Sequence, residues 1–215
     1  MFAAILVPLR TPQERAAYLL THFWDSLNFA DTLHSRNSIF MEQNLISYFS
    51  LFPHVQAEAR IMAVKSLMQR AEVDETAYRL LARLAEKHLY TFGSPMQNEE
   101  YFIPFLEEIV GTSLLDETEK SRFRFLLSAA LKNRPGTMAT DFTYLTPNGE
   151  LQTLYTVPAT YRLLLLFYDP DCLHCREIIT ALSTASCLQQ QIESGQLTVL
   201  AICVGEDRDL WNCSL

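Results

Sequence analysis

One stretch toward the C-terminal end, residues 162–177, constrains the fold of this chain most. It begins with an unbroken apolar run at 163–168, which predicts a strand buried on both faces, as in parallel sheets. An Asp-Pro-Asp turn at 169–171 follows. Cys172 and Cys175 come next at C-x-x-C spacing, and apolar residues then recur at helical period. The sequence therefore predicts a strand, a tight turn and a helix whose first turn carries two thiols.

That placement predicts redox chemistry. The unpaired amides and the positive dipole end of a helix start stabilise a thiolate, so Cys172 is the predicted nucleophile in disulfide exchange. Cys175 is the predicted resolving thiol. His174, when protonated, is a further positive partner. It would shift the pair toward the oxidising end of a scale from about −270 to −120 mV. A C-x-x-C after a strand of this type is typical of a thioredoxin-like redox motif.

Other uses of the two cysteines are weaker alternatives. A zinc site needs four ligands, usually two such pairs or one pair with two histidines at set spacing. The chain has one pair, and its other histidines lie far upstream, at positions 22, 34, 54 and 88. A structural disulfide would not require a helix start. Copper binding by Cys172, Cys175 and His174 is a third reading. We expect neither a metal site nor a cofactor.

Composition limits the function classes. The 215 residues allow one or two domains, and 49% hydrophobic with 20% charged residues is ordinary for a globular protein. A net charge of −8 argues against a nucleic-acid partner, which requires basic patches. No apolar run approaches a membrane span, and residues 1–7 are too short for a signal peptide. An exported form would therefore have lost its leader. Five cysteines are too few for a disulfide scaffold.

The front half of the chain predicts a compact helical unit. Thr11 to Glu14 form a capping box with proline at the first helical position. Amphipathic periods and turn residues place further helices along the chain. The predicted helices span about 11–27, 38–52, 54–70, 74–89, 99–110 and 116–131. Asn-Arg-Pro-Gly at 133–136 marks a boundary. We predict an all-α domain at 1–134 and a second domain at 135–215.

The second domain shows a different pattern. Thr-Pro-Asn-Gly at 146–149 between alternating apolar residues predicts a β-hairpin. The strand at 163–168, a helix to about 194 and a second apolar strand at 197–204 predict a right-handed β-α-β unit. Cys187 and Cys203 are expected to be small buried residues. The fold class is therefore α+β with two domains, an all-α helical bundle followed by a truncated α/β domain.

Several segments together resemble known proteins. They are Asp-Phe at 141–142, the hairpin and the Leu-rich strand with Cys-Leu-His-Cys, and in the front half 11–18, 23–25, 94–100 and 130–136. The C-terminal part resembles the TlpA-like branch of the thioredoxin superfamily. The whole chain resembles a two-part family of Gram-negative gut anaerobes, in which a helical domain of unknown function precedes a thioredoxin-like domain.

The resemblance implies a thiol-disulfide oxidoreductase of the cell envelope or periplasm. It carries Cys172 and Cys175 over as the redox pair. Its implied partners are protein thiols or disulfides and a membrane-linked thiol reductant or oxidant. Members of the superfamily continue with a cis-proline loop, further strands and a helix, whereas no proline follows Pro170 here. We therefore expect an incomplete thioredoxin domain with an open sheet edge, through which copies of the chain would self-associate.

Two function classes follow from these observations. The first is an enzyme in which Cys172 attacks and Cys175 resolves. The second is a non-catalytic partner-binding module, or an inactive remnant, because the redox domain lacks its cis-proline loop. The intact motif favours the first class, and the missing loop favours the second.

Overall fold

The computed structural model describes residues 11–158 and 161–205, which form two compact units divided between Ala139 and Thr140. The boundary predicted from sequence lies between residues 134 and 135. A helical unit comes first and a mixed α/β unit follows, so the predicted fold class is confirmed. Cys213 and the helix expected to begin near residue 209 lie outside the described residues.

The N-terminal unit is helical throughout its described length. Its helices are α1 (Pro12–His22), α2 (Thr32–Ser35), α3 (Ser38–Phe49), α4 (Ala57–Ala71), α5 (Glu75–Leu89), α6 (Glu99–Gly111) and α7 (Glu117–Ala130), with a 3₁₀ turn at Phe52–His54. The core lies between α6 and its neighbours α4, α5 and α7. Pro104 lies inside α6 and is buried, so it does not mark the start of that helix.

Side-chain caps fix the starts of α1 and α7 where the sequence predicted them. Thr11 Oγ1 accepts a hydrogen bond from the backbone N–H of Glu14 at 3.1 Å, and the Glu14 carboxylate accepts one from the Thr11 N–H at 2.9 Å. Asp116 and Glu119 form the same box at α7. Each box satisfies two amides that the helix itself leaves unpaired.

The helix predicted to run to about residue 27 is shorter than expected. It ends at His22, and the chain then turns, with the N–H of Leu27 bonded to the carbonyl of Trp24 at 2.9 Å. The aromatic residues beyond the end still enter the core, since the Trp24 and Tyr48 rings lie 5.6 Å apart. Tertiary packing therefore holds this segment without a helix. The short α2 lies where only a turn was predicted.

The C-terminal unit contains a hairpin and a parallel β-α-β unit. Its elements are β1 (Thr143–Leu145), β2 (Leu151–Thr153), a 3₁₀ turn (Leu154–Thr156), β3 (Arg162–Tyr168), α8 (Leu173–Thr184), α9 (Ser186–Glu193) and β4 (Leu197–Cys203). β1 pairs antiparallel with β2, which confirms the predicted hairpin. β3 pairs parallel with β4, with Arg162 opposite Leu197 and Tyr168 opposite Cys203.

Three details of this unit differ from the sequence prediction. β3 was predicted to be buried on both faces, but only Tyr168 is buried and Phe167 is 53% exposed. The faces of a strand are covered by the layers packed on the sheet, and α8 and α9 cover this sheet incompletely. The single predicted helix is two helices, since Ala185 is extended between them. The carbonyl of Ser183 there accepts the Gln189 side-chain amide at 3.0 Å. Cys187 is exposed rather than buried.

Among the residues that the structure describes, no helix is both long and apolar enough to cross a membrane.

Candidate functional site

The turn after β3 positions the two motif cysteines. Asp169 Oδ1 accepts a hydrogen bond from the N–H of Asp171 at 2.9 Å, and the Asp169 carbonyl accepts one from the N–H of Cys172 at 3.1 Å. These bonds close the turn that the sequence predicted. Cys172 is then the N-cap of α8, with extended backbone, and Cys175 lies in the first turn. The site is built from the end of a strand, a tight turn and a helix start.

The Cys172 sulfur occupies the position of a capping acceptor. Its Sγ accepts a hydrogen bond from the backbone N–H of Cys175 at 3.3 Å. The Cys175 thiol, the Cys175 backbone N–H and the His174 backbone N–H lower the pKa of Cys172, against burial and the Asp169 charge, which raise it. The net shift is downward, because hydrogen bonds to the charged form favour it. The structure thus places an acidified thiol where the sequence predicted the nucleophile.

The pKa of the second thiol, Cys175, shifts upward. The backbone N–H of Asp169 lowers the pKa of Cys175, but the Cys172 side chain, burial and the charge of Asp169 together raise it above the ordinary value. Cys172 therefore ionises more readily than Cys175. This is the division expected of a nucleophile and a resolving thiol.

His174 lies between the cysteines in sequence, but its ring faces solvent. The side chain is 78% exposed, and Nδ1 lies 3.6 Å from the carboxylate of Glu177, one turn along α8. Its backbone N–H, rather than its ring, is the group that acts on the Cys172 sulfur. The predicted role of the imidazole as a positive partner of the thiolate stays a prediction.

A third thiol lies at the same end of the sheet. Cys203 ends β4 opposite Tyr168 and is half-buried. Beyond it, the N–H of Val204 bonds to the Tyr168 carbonyl at 2.8 Å. A Cβ at Gly205 would come within 3.2 Å of Asp169 Oδ1, so a glycine there lets the chain pass close to the turn.

An apolar groove of about 560 Å³ lies behind the motif, between the β3–β4 sheet and helices α8 and α9. Side chains of both strands and both helices line it, among them Leu164, Leu166, Val199, Ile179 and Leu188. No residue of α8 or α9 is buried, so the helices cover this sheet face incompletely. The sequence predicted the apolar strands but not this groove, because the apolar pattern of a strand does not show how closely a helix packs on the sheet.

The backbone amides of the turn are the functional groups that the sequence could not single out. The N–H groups of Asp169 and Cys175 act on the two sulfurs, yet every residue other than proline carries such a group. Only the C-x-x-C spacing after a strand indicates that two of these groups will point at a sulfur.

With this geometry in place, a solved structure can be compared. The chain is similar to a thioredoxin-like protein from Bacteroides caccae, with a TM-score of 0.89 and 37% sequence identity. The match covers 99% of this chain and 76% of that one. The chain therefore has a thioredoxin-like fold joined to a helical N-terminal unit.

Residues 2–133 match the family described as a domain of unknown function, DUF5106, and the chain belongs to that family. The matched residues cover the described helical unit almost completely. No curated protein matches the chain.

Proposed function

We propose that the chain is a thiol-disulfide oxidoreductase that exchanges disulfides through Cys172 and Cys175. One observation carries the proposal: Cys172 caps α8 with its sulfur, and the N–H of Cys175 is bonded to that sulfur at 3.3 Å. The lowered pKa of Cys172 and the raised pKa of Cys175 support these two roles. The thioredoxin-like fold supports the reaction class.

In the proposed reaction, the Cys172 thiolate attacks one sulfur of a substrate disulfide. The substrate S–S bond breaks, its other sulfur leaves as a thiolate, and a mixed disulfide forms on Cys172. Cys175 then loses its proton and attacks the Cys172 sulfur. This step releases the second substrate thiol and forms a Cys172–Cys175 disulfide. The substrate gains two electrons and the cysteine pair loses them, so a thiol reductant must return the pair to its reduced form.

The partners and the location belong to the same proposal. Protein disulfides are the proposed substrates, and a membrane-linked thiol protein is the proposed source or sink of electrons. We place the reaction in the cell envelope on the basis of the resemblance of the C-terminal part to TlpA-like proteins. Fractionation of the native cells, with immunodetection of the chain, tests this location. Recovery with the cytosolic fraction would contradict it.

The test of the chemistry uses oxidised glutathione as substrate. Reduced wild-type protein should form an intramolecular disulfide between Cys172 and Cys175, located by mass spectrometry after tryptic digestion. The Cys175→Ser variant should instead accumulate glutathione on Cys172, because the resolving thiol is gone. Cys187→Ser is the matched control, since Cys187 is an exposed thiol outside the site and its loss should leave both results unchanged.

The outcome separates the two function classes. If Cys172 forms the mixed disulfide no faster than Cys187 does, the site has no activated nucleophile and the chain is a non-catalytic module. If Cys175→Ser traps no glutathione on Cys172 although Cys172 reacts rapidly, the assignment of the resolving thiol is wrong.

A further inference from the structure

The helical unit contains an open groove between α5 and α7 that the thiol chemistry does not use. The groove has a volume of about 500 Å³, within the range of protein ligand sites. α6 packs against both helices, so the groove lies above a well-filled core. Two ion pairs join α5 to α7, Arg79 with Glu119 and Arg122 with Glu86. Because both pairs advance in the same direction along the two helices, α5 and α7 run parallel.

The floor of the groove is apolar. Ala82, Leu115 and Phe123 line it, and all three are buried. The guanidinium of Arg122 lies over the Phe123 ring, 4.6 Å from its centroid. Such a floor favours an apolar group that enters from solvent.

The rim of the groove is rich in arginine, in a chain whose net charge is −8. Three arginines and one glutamate line it. Arg79 is held by Glu119 and Glu75, and Arg122 by two bonds of 2.6 and 2.7 Å to Glu86.

Arg83 differs from these two. It is exposed, and no described residue places a carboxylate within ion-pair distance of it. The positive ends of the two helix dipoles are already matched by Asp74 at the start of α5 and Asp116 at the start of α7. The positive charge that has no described partner is therefore that of Arg83.

We propose that this groove binds an acidic polypeptide segment, with a carboxylate on Arg83 and a neighbouring apolar side chain on the floor. The charge of Arg83 selects the carboxylate, since opposite charges steer and orient a partner. The shape of the groove favours a peptide. The groove extends along α5 from Thr76 to Arg83, a length of about 10 Å at 1.5 Å per residue. An extended chain at about 3.3 Å per residue spans that length with three residues. Arginine and aromatic residues are also the types that dominate binding at protein interfaces.

The site is independent of the redox pair, so its test does not depend on thiol exchange. The probe is a fluorescein-labelled peptide in which Asp and Glu alternate with Leu and Phe, and binding to the full chain is followed by fluorescence anisotropy. A second peptide has Asn and Gln in place of the acids, and a third has Ser in place of Leu and Phe. We expect the first peptide to bind, and both others to bind at least about tenfold more weakly.

Charge reversal locates the site. Arg83→Glu should weaken binding of the acidic peptide by about tenfold or more, and Arg83→Ala by less, because the first change adds repulsion. Arg124→Glu is the matched control: Arg124 is an exposed arginine of α7 outside the groove, and its reversal should change affinity by less than about twofold. Far-UV circular dichroism checks that each variant folds.

Several results would overturn the proposal. They are failure of the acidic peptide to bind the wild type, equal binding of the neutral peptide, and equal loss of affinity in Arg83→Glu and Arg124→Glu. Equal binding of the Ser-containing peptide would show that the floor plays no part, and this too contradicts the site as described.

Discussion

The sulfur of Cys172 accepts a hydrogen bond from the backbone N–H of Cys175 at 3.3 Å, in the position that a serine or aspartate oxygen takes at other helix starts. The bond exists because the two residues are three apart, the spacing from a helix N-cap to the third helical residue. C-x-x-C spacing therefore puts the second cysteine at the position whose backbone N–H an N-cap side chain accepts. A single local arrangement both begins α8 and stabilises a thiolate.

Removing the Cys175 side chain should raise the pKa of Cys172. The Cys175 thiol is the largest influence that lowers this pKa, and Cys175→Ala removes it while leaving the backbone N–H in place. Alkylation of Cys172 by iodoacetamide at pH 7 should then slow by about threefold. Cys175→Ser is the control, because the serine hydroxyl can still donate a hydrogen bond to the Cys172 sulfur. The alkylation rate of Cys172 in this variant should stay near that of the wild type. Identical rates in the two variants would show that the side-chain bond is unimportant.

Replacing Tyr48 by phenylalanine should stabilise the protein. The Tyr48 ring is fully buried and its hydroxyl has no hydrogen-bond partner among the residues that the structure describes, whereas the hydroxyl of Tyr78 donates to the Glu108 carbonyl at 3.0 Å. Because an unpaired buried hydroxyl is unfavourable, Tyr48→Phe should raise the free energy of unfolding by about 1 kcal/mol. The matched variant Tyr78→Phe should lower it by about 1 kcal/mol. Urea denaturation measures both, and equal effects of the two changes would contradict this account.

Glu108 should lower the stability of the protein at neutral pH. Burial raises its pKa, with Glu72 and Glu107 adding to the rise and Lys65 opposing it. The folded state therefore binds more protons than the unfolded state between the unfolded and folded pKa values, so stability falls as pH rises through that window. Glu108→Gln should increase the free energy of unfolding at pH 7 by about 0.5 kcal/mol.

The gain from Glu108→Gln should vanish at pH values below the unfolded pKa of glutamate, where the wild-type carboxyl is already protonated. Urea midpoints measured at several pH values check this. Glu107→Gln, at an exposed neighbouring position, serves as the control for the loss of one negative charge. A gain of equal size in that variant would assign the effect to net charge rather than to burial.

We propose that copies of the chain associate through exposed apolar side chains of the C-terminal unit. Phe167 of β3 and Val199 of β4 are large apolar residues left exposed there. Sedimentation velocity at micromolar concentration should show association in the wild type, and Phe167→Lys should reduce it. Ile61→Lys is the control, because Ile61 is comparably exposed but lies in the helical unit. A wild type that sediments as a monomer at every concentration would refute the proposal.

Local signals were the dependable part of the sequence. The capping box at Thr11, the helix starts at Asp74 and Asp116 and the turn at 146–149 all form as predicted. Each involves residues only a few positions apart, so the sequence spacing fixes the hydrogen-bond geometry. The motif turn belongs to the same class, which explains why the chemical candidates could be located without a structure.

Two of the wrong predictions concern where a helix ends along the chain. An apolar period past His22 predicted more helix, but the segment packs its aromatic rings from a turn. The period after Cys175 predicted one helix, but Ala185 breaks it where the Gln189 side chain replaces a backbone donor. In the first case apolar spacing indicated burial correctly and secondary structure incorrectly, because a side chain can reach a core from more than one backbone conformation. In the second case no residue of either helix is buried.

The sequence by itself determined the helix starts, the hairpin, the parallel strand pair and the placement of Cys172 at a helix N-cap. Only the tertiary structure decided which polar groups find no partner among the described residues, and this includes Tyr48 in the core and Arg83 beside the α5–α7 groove. It also decided that β3 is half-exposed. The reason is physical: capping and turn bonds close over three or four residues, whereas burial and charge pairing depend on residues far apart in sequence, whose approach the packing of whole helices decides.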